Sequence, residues 1–262
     1  MFVNNINPIL FHTGPISVRW YGLFLAIGVA SAIFIYTKLF KDRGYNVELV
    51  YSLSTWMVIG GLIGARLGHV IFYNWEYFSN NPSEIIFINH GGLSSHGLTI
   101  GLLITLVLFQ KIKKIDLKKY LDILVIPIPL LATFIRLGNY FNSEIIGKPT
   151  NLPWGVWFQK VDAEPLLRHP SQIYEALIAL SIFIILYIIY RKKTSISNIQ
   201  YPIFHLFLIL YFSTRFLVEF LKERQGIDDL WILGMGQILS IPFIIWGAWC
   251  FISRHKKQYN RP

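Results

Sequence analysis

Ile135-Arg136-Leu137-Gly138-Asn139-Tyr140-Phe141-Asn142-Ser143-Glu144-Ile145-Ile146-Gly147 follows directly on an apolar run, Leu121 to Phe134. The run reads as membrane-embedded. The stretch after it sets a cation, two amides and a carboxylate within the nine residues from Arg136 to Glu144. An arginine at the centre of a membrane helix costs about 2.5–3.5 kcal/mol on insertion scales, so a polar group at that depth points to function. The rest of the chain reads as a frame that brings partners to this stretch.

Working outward, the composition agrees. Of 262 residues, 54% are hydrophobic and only 15% are charged. A soluble chain of this length shows polar faces on most helices, whereas here run after run of about 18 residues is nearly uncharged. Seven such segments can be drawn, at about 18–37, 49–73, 97–112, 120–141, 171–190, 202–221 and 234–252. The third is short for about 30 Å of hydrocarbon and is expected to borrow residues from the stretch before it. Residues 1–17 lack the basic start of a cleavable signal peptide. The expected class is an all-α, polytopic membrane protein, a single helical domain over 1–262. Two outer segments, about 74–95 and 142–169, interleave aromatic and polar residues. Both are expected to lie on the membrane surface as short amphipathic pieces, neither being long enough for a core of its own.

Orientation follows from the loop cations. Lys38, Lys41 and Arg43 follow the first segment; Lys111, Lys113, Lys114, Lys118 and Lys119 follow the third; Arg191, Lys192 and Lys193 follow the fifth; Arg254, Lys256, Lys257 and Arg261 fill the tail. The alternate loops carry only Lys148, Lys160, Arg168, Lys222 and Arg224. The positive-inside rule then sets the N-terminus outside and the C-terminus in the cytoplasm, as an odd number of crossings requires. The same scatter argues against nucleic-acid binding despite a net charge of +10, because the cations form no single patch. Cys250 is the only cysteine, which excludes intrachain disulfides and CxxC chemistry. No two histidines stand at ligand spacing beside a carboxylate, so no metal is expected.

On this topology the intramembrane polar residues share one depth, toward the outer leaflet. Arg66 lies in the outer half of the second segment, behind the small-residue face Gly60-Gly64-Gly68, which suits close helix packing. Arg136 and Asn139 lie near the outer end of the fourth. Tyr211, Arg215 and Glu219 stand at i, i+4 and i+8 on one face of the sixth, where Arg215 and Glu219 could form a simple ion pair. Tyr21 starts the first, His96 precedes the third, and Glu175 is one turn into the fifth. Three arginines suggest an anion, and guanidinium suits bidentate phosphate binding. At the outer leaflet the abundant phosphate is a phospholipid headgroup. No Ser-His-Asp arrangement or catalytic cysteine is evident, so the simplest chemistry is direct attack on a bound lipid by a second substrate.

The quoted stretch resembles the Gly-Arg-x-Gly-Asn-Phe-x-Asn-x-Glu-x-x-Gly signature of prolipoprotein diacylglyceryl transferases, with Ile135 for the first Gly and Tyr140 for the Phe. The resemblance extends through Arg19-Trp20-Tyr21-Gly22, Gly64-Ala65-Arg66-Leu67-Gly68, Gly91-Gly92-Leu93-Ser94-Ser95-His96-Gly97, Arg168-His169-Pro170-Ser171-Gln172-Ile173-Tyr174-Glu175, Arg215-Phe216-Leu217-Val218-Glu219-Phe220 and Met235-Gly236-Gln237-Ile238-Leu239-Ser240. It implies transfer of the diacylglyceryl group of phosphatidylglycerol to the lipobox cysteine thiol of a prolipoprotein, without cofactor, in a bacterial cytoplasmic membrane. It also implies functional roles for His96, Arg136, Asn139, Glu144, Gly147, Tyr21, Tyr211, Arg215 and Glu219.

Read with the polar cluster, these residues divide by role. His96, Tyr211, Arg215 and Arg136 are the expected catalytic set. Arg136, Asn139, Glu144, Gly147, Tyr21, Arg66, Arg215 and Glu219 are the expected phosphatidylglycerol-binding set. His96 is the candidate base, with Glu219 as rival. A transporter for an anionic lipid or solute is the alternative class. A CDP-alcohol type of transferase would need an Asp-rich metal motif, for which only Asp228-Asp229 is adjacent.

Overall fold

The computed structural model describes residues 1–14, 16–87, 92–195, 203–223 and 233–259. In order the elements are β1 (Phe2–Asn4), β2 (Ile9–Thr13), β3 (Ile16–Arg19), α1 (Trp20–Asp42), α2 (Glu48–Phe72), α3 (Trp75–Asn80), α4 (Ser95–Lys113), α5 (Leu121–Leu124), α6 (Ile128–Phe141), β4 (Val156–Phe158), β5 (Leu167–Arg168), α7 (Ser171–Ser195), α8 (Ile203–Val218) and α9 (Met235–Tyr259). Short 3₁₀ turns occupy Pro82–Ile86, Leu117–Tyr120 and Glu219–Leu221. Among the described residues, six helices are long and apolar enough to cross a membrane, or seven if a bent pair counts as one span. Their outward faces are apolar, as at Leu62, Ile63, Leu103, Ile245 and Trp249, which suits a hydrocarbon solvent.

The bent pair corrects the fourth segment, expected as one helix over 120–141. It breaks between Leu124 and Ile128, and its halves differ in direction by 53°. The cause is Ile126-Pro127-Ile128-Pro129. Neither proline has an N–H to donate, and each disfavours helix in the residue before it. Pro127 instead opens α6, where a missing N–H costs nothing. The third segment does borrow upstream residues: α4 begins at Ser95, capped by the Ser94 hydroxyl accepting from Gly97 N at 3.1 Å. Lys111 and Lys113 sit at its carbonyl end, and Lys114 closes it in the left-handed conformation.

The chain divides into two compact units, Met1–Ile35 with Leu121–Pro262, and Tyr36–Tyr120. In the second unit α2 packs on α4 through facing small residues. A Cβ on Gly64 would sit 2.6 Å from Gly101 Cα and Gly97 O, and one on Gly101 would sit 2.6 Å from Gly60 O. Only glycine lets the two backbones approach so closely. After α2 the chain forms α3 and the turn Pro82–Ile86, the short pieces expected there, with Trp75, Tyr77, Ile86 and Phe87 exposed and Phe78 buried. Residues 88–91 of that loop, including His90 and Gly91, lie outside the described residues, as do Arg224, Asp228 and Asp229.

In the first unit α6, α7, α8 and α9 pack in succession. Asp122 accepts from Phe204 N at 2.9 Å at the start of α8. Gly247 of α9 lies against Leu208 and Ile209, and Phe212 stacks on Phe243 with centroids 4.4 Å apart. The segment 142–169 differs from expectation. It builds a three-stranded sheet, order β1-β4-β5, with β1 parallel to β4 and β4 antiparallel to β5. Ile146, Val156 and Phe158 form its core with Tyr140 packed against them. The loop alone could not bury a core; it does so by recruiting the N-terminal strand and the end of α6. Buried Asn4 ties the two, donating to Tyr140 O at 2.8 Å. Arg168 pairs with Asp162 at 2.6 Å and with Glu223. The Asp162 hydrogen bond raises the Arg168 pKa above its already high ordinary value, so Arg168 is charged at any biological pH.

Candidate active site

The site grows from the end of α6, where the helix runs out and the chain turns back. Arg136 and Asn139 are one turn apart, so NH1 of Arg136 donates to Asn139 Oδ1 at 3.3 Å. Asn139 is buried, and its Nδ2 donates to Glu144 Oε2 at 3.0 Å. Asn142 Nδ2 donates to the other Glu144 oxygen at 3.1 Å. The signature residues Arg136, Asn139 and Glu144 are therefore one hydrogen-bonded chain. Tyr21, one residue into α1, lies against Gly138, where a Cβ would sit 2.9 Å from its ring. Its hydroxyl is within electrostatic reach of both Glu144 and Arg136.

On its other side Arg136 Nε pairs with Glu175 Oε2 of α7 at 3.1 Å. Glu175 Oε1 pairs with Lys222 Nζ at 2.8 Å, and Lys222 Nζ pairs with Glu219 Oε2 at 3.1 Å. Lys222, Glu175, Arg136 and Glu219 expose only 7, 9, 14 and 18% of their side chains, so these ion pairs are nearly dry. Charges this buried are tolerated only when paired, and removing one partner typically costs about 3–5 kcal/mol. Lys222 is the member sequence reading passed over, counting it as a loop cation. Its spacing from Glu219 was the available signal.

Arg215 contrasts with this network. It lines a narrow cavity of about 20 Å³ with Arg136, Glu175, Tyr211, Thr214 and apolar residues of α6, α7 and α8. That is room for about one water. Among the described residues the Arg215 guanidinium has no ion pair or hydrogen bond, and neither has the Tyr211 hydroxyl, whose ring stacks on Phe207. The expected Arg215–Glu219 pair does not form. Helix α8 ends at Val218, and Glu219 enters a 3₁₀ turn that aims its carboxylate at Lys222 and Gly236. A half-buried guanidinium that lines a cavity with a second arginine has the donors an anion would need.

Gly147 is in direct contact with the start of α7. It is buried, Gly147 N donates to His169 O at 3.0 Å, and a side chain there would collide with the His169 backbone. Its glycine character serves this close approach.

Arg66 and His96 belong to the other unit. Arg66 is buried, and its donors go to backbone carbonyls of the loop between α2 and α4: Nε to Ile85 O at 2.8 Å, NH2 to Glu84 O at 2.8 Å and Phe87 O at 3.1 Å, and NH1 to Gly92 O at 3.1 Å. Its guanidinium also lies 5.0 Å from the Phe78 ring centre. The guanidinium fork of Arg66 is thus engaged with the loop backbone. His96, in the first turn of α4, is exposed, with Nδ1 3.3 Å from the Tyr73 hydroxyl. No group of three or more histidines, cysteines and carboxylates among the described residues could hold a metal ion.

Comparison with known proteins bears on this geometry. A family model described as prolipoprotein diacylglyceryl transferase matches residues 8–253. A phosphatidylglycerol–prolipoprotein diacylglyceryl transferase of Tolumonas auensis is 40% identical over 247 residues, covering 93% of each chain. Its counterpart in Bacteroides fragilis is 38% identical over 267 residues, covering 97% of this chain and 95% of the relative. That in Chloroherpeton thalassium is 40% identical over 247 residues, covering 93% and 91%.

Proposed function

The chain belongs to the prolipoprotein diacylglyceryl transferase family, and we propose that it moves the diacylglyceryl group of phosphatidylglycerol onto the lipobox cysteine thiol of a prolipoprotein. The thiolate sulfur attacks the glycerol carbon that carries the phosphate ester. A carbon–sulfur bond forms, the carbon–oxygen bond breaks, and its electron pair leaves with glycerol phosphate. The thiol proton goes to a base, for which His96 is the candidate because a neutral imidazole nitrogen can accept a proton.

The observation that carries this reading is Arg215, a half-buried guanidinium with no partner among the described residues, sharing a cavity with Arg136. Such a cation is matched to the charge that grows on the departing phosphate. Because the cavity is narrow, a headgroup enters by moving side chains, and Arg215 can move without breaking an ion pair to any of the described residues. Asn139 and Glu144, with Tyr21 beside them, orient the glycerol hydroxyls. Tyr211, one turn before Arg215, donates to the phosphate. The site faces the outer leaflet, with the N-terminus outside and the C-terminus in the cytoplasm, as the loop cations support.

The test is direct. Purified protein incubated with phosphatidylglycerol and a lipobox peptide should add a diacylglyceryl mass to the peptide, and replacing the peptide cysteine by serine should abolish product. Folded protein that leaves the cysteine peptide unmodified overturns the reading. For the base, His96→Gln should cut turnover at neutral pH by at least about 100-fold; near-normal turnover would remove His96 from that role.

A further inference from the structure

The backbone around Glu144 is unusual. Ser143 and Ile145, on either side of it, have φ of +57° and +55°. A left-handed conformation is uncommon in any residue but glycine, and for a β-branched residue such as Ile145 it is an outlier that surrounding contacts must hold. Those contacts come from the first two residues of α7. Ser171 Oγ donates to Ile145 O at 2.7 Å, and Gln172 Nε2 donates to Glu144 O at 2.6 Å. Both side chains belong to residues with no solvent exposure. A serine at a helix start ordinarily accepts from the helix's own N–H groups; here its hydroxyl proton is directed outward. Gln172 leaves its own Oε1 buried without a partner, a cost taken while the amide nitrogen holds Glu144 O.

We propose that Ser171 and Gln172 are positioning residues for lipid recognition. They act as a strap that holds the Glu144 and Ile145 carbonyls and with them the left-handed Ile145. The left-handed Ser143 that ends α6 returns Glu144 N to Asn139 O at 2.9 Å, and the strapped backbone after it keeps the Glu144 carboxylate against Asn139 and Asn142. Asn139 in turn accepts from Arg136. Without the strap, Ile145 relaxes toward negative φ, and the carboxylate swings away from the arginine that carries the phosphate. The proposal rests on the transferase reading above, because it assigns Asn139 and Glu144 to the lipid headgroup.

The strain supplies the test. Full-length Ser171→Ala and Gln172→Leu should each lower kcat/KM for phosphatidylglycerol by about tenfold, the worth of a buried hydrogen bond. The loss should fall on the KM for lipid, with the KM for peptide unchanged. Ser171→Thr, which keeps the hydroxyl, should retain activity. In the Ser171→Ala background, Ile145→Gly should recover most of the loss, because glycine adopts the left-handed conformation without a strap. A merely structural serine would show the opposite, the second substitution adding to the damage. The strap is overturned if the double variant is no better than Ser171→Ala, or if Ser171→Ala leaves the KM for lipid unchanged. Should Ser171→Ala not fold, Gln172→Leu with and without Ile145→Gly is read in the same way. If the wild type transfers nothing, the transferase reading falls, and binding of phosphatidylglycerol vesicles by wild type and variants still reads the strap.

Discussion

Arg136 and Arg215 are the same residue in two electrostatic situations, and substitution should separate them. Arg136 is tied to Glu175 and Asn139, and Glu175 also serves Lys222. Replacing Glu175 by leucine leaves two nearly buried cations short of a partner. A loss of about 3–5 kcal/mol is expected, visible as a large fall in thermal midpoint in detergent. Arg215 has no such partner among the described residues. Arg215→Lys should leave the midpoint nearly unchanged while lowering kcat/KM at least about tenfold, since an ammonium cannot make the bidentate contact of a guanidinium. A parallel fall of stability and activity in Arg215→Lys would place it in the packing. Sequence pattern was enough to single out both arginines, because charge in an apolar run is visible without a fold. It could not tell the paired one from the unpaired one. Glu175 and Lys222 are far from Arg136 in the chain, and only the packing of α7 and the turn after α8 brings them to it.

At the scale of elements, one local pattern acted as its spacing suggested and two were overridden. The Gly60-Gly64-Gly68 face meets a matching face on α4, built from Gly97 and Gly101, with Thr105 opposite Gly60. Gly64→Val should therefore be far worse than ordinary overpacking, which costs about 1–3 kcal/mol, because the obstacle is backbone that cannot step aside. Gly22→Ala, where a Cβ meets nothing within 4 Å, is the control and should not move the midpoint. Equal effects of the two would refute the close packing of α2 on α4. Ser94 caps α4 by accepting from Gly97 N. The fourth segment was overridden by its own prolines, and the sixth ends a turn early. That early end decides the chemistry near it. On a continued helix Glu219 would lie over Arg215; in a 3₁₀ turn it meets Lys222 instead.

Over the whole molecule, the charge asymmetry of the loops makes a topological prediction that needs no site. In a Cys250→Ser background, Lys160→Cys should react with a membrane-impermeant maleimide in spheroplasts, and Lys114→Cys only after permeabilisation. The reverse pattern would invert the orientation argued from the loop cations. The outer segment 142–169 shows where such reasoning stops. Its length was judged too small for a core, correctly for the segment alone. The core exists because β1, more than 150 residues away, pairs with β4, and because Tyr140 closes over Ile146, Val156 and Phe158. Breaking the Arg168–Asp162 clasp with Arg168→Met should loosen this sheet, seen as faster proteolysis between Gly147 and Arg168.

By itself the amino-acid sequence determined the class and the family. Hydrophobic run length, loop charge and an arginine in an apolar stretch are properties of contiguous residues, and water and lipid act on them before any tertiary contact forms. What only the tertiary structure decided is the state of each polar group. It paired Arg136 with Glu175, left Arg215 unpaired among the described residues, turned Arg66 onto a loop, and held Ile145 left-handed beneath Ser171. Those outcomes are settled by where distant donors and acceptors come to rest. In a nearly dry interior each must find a partner or carry the cost of having none.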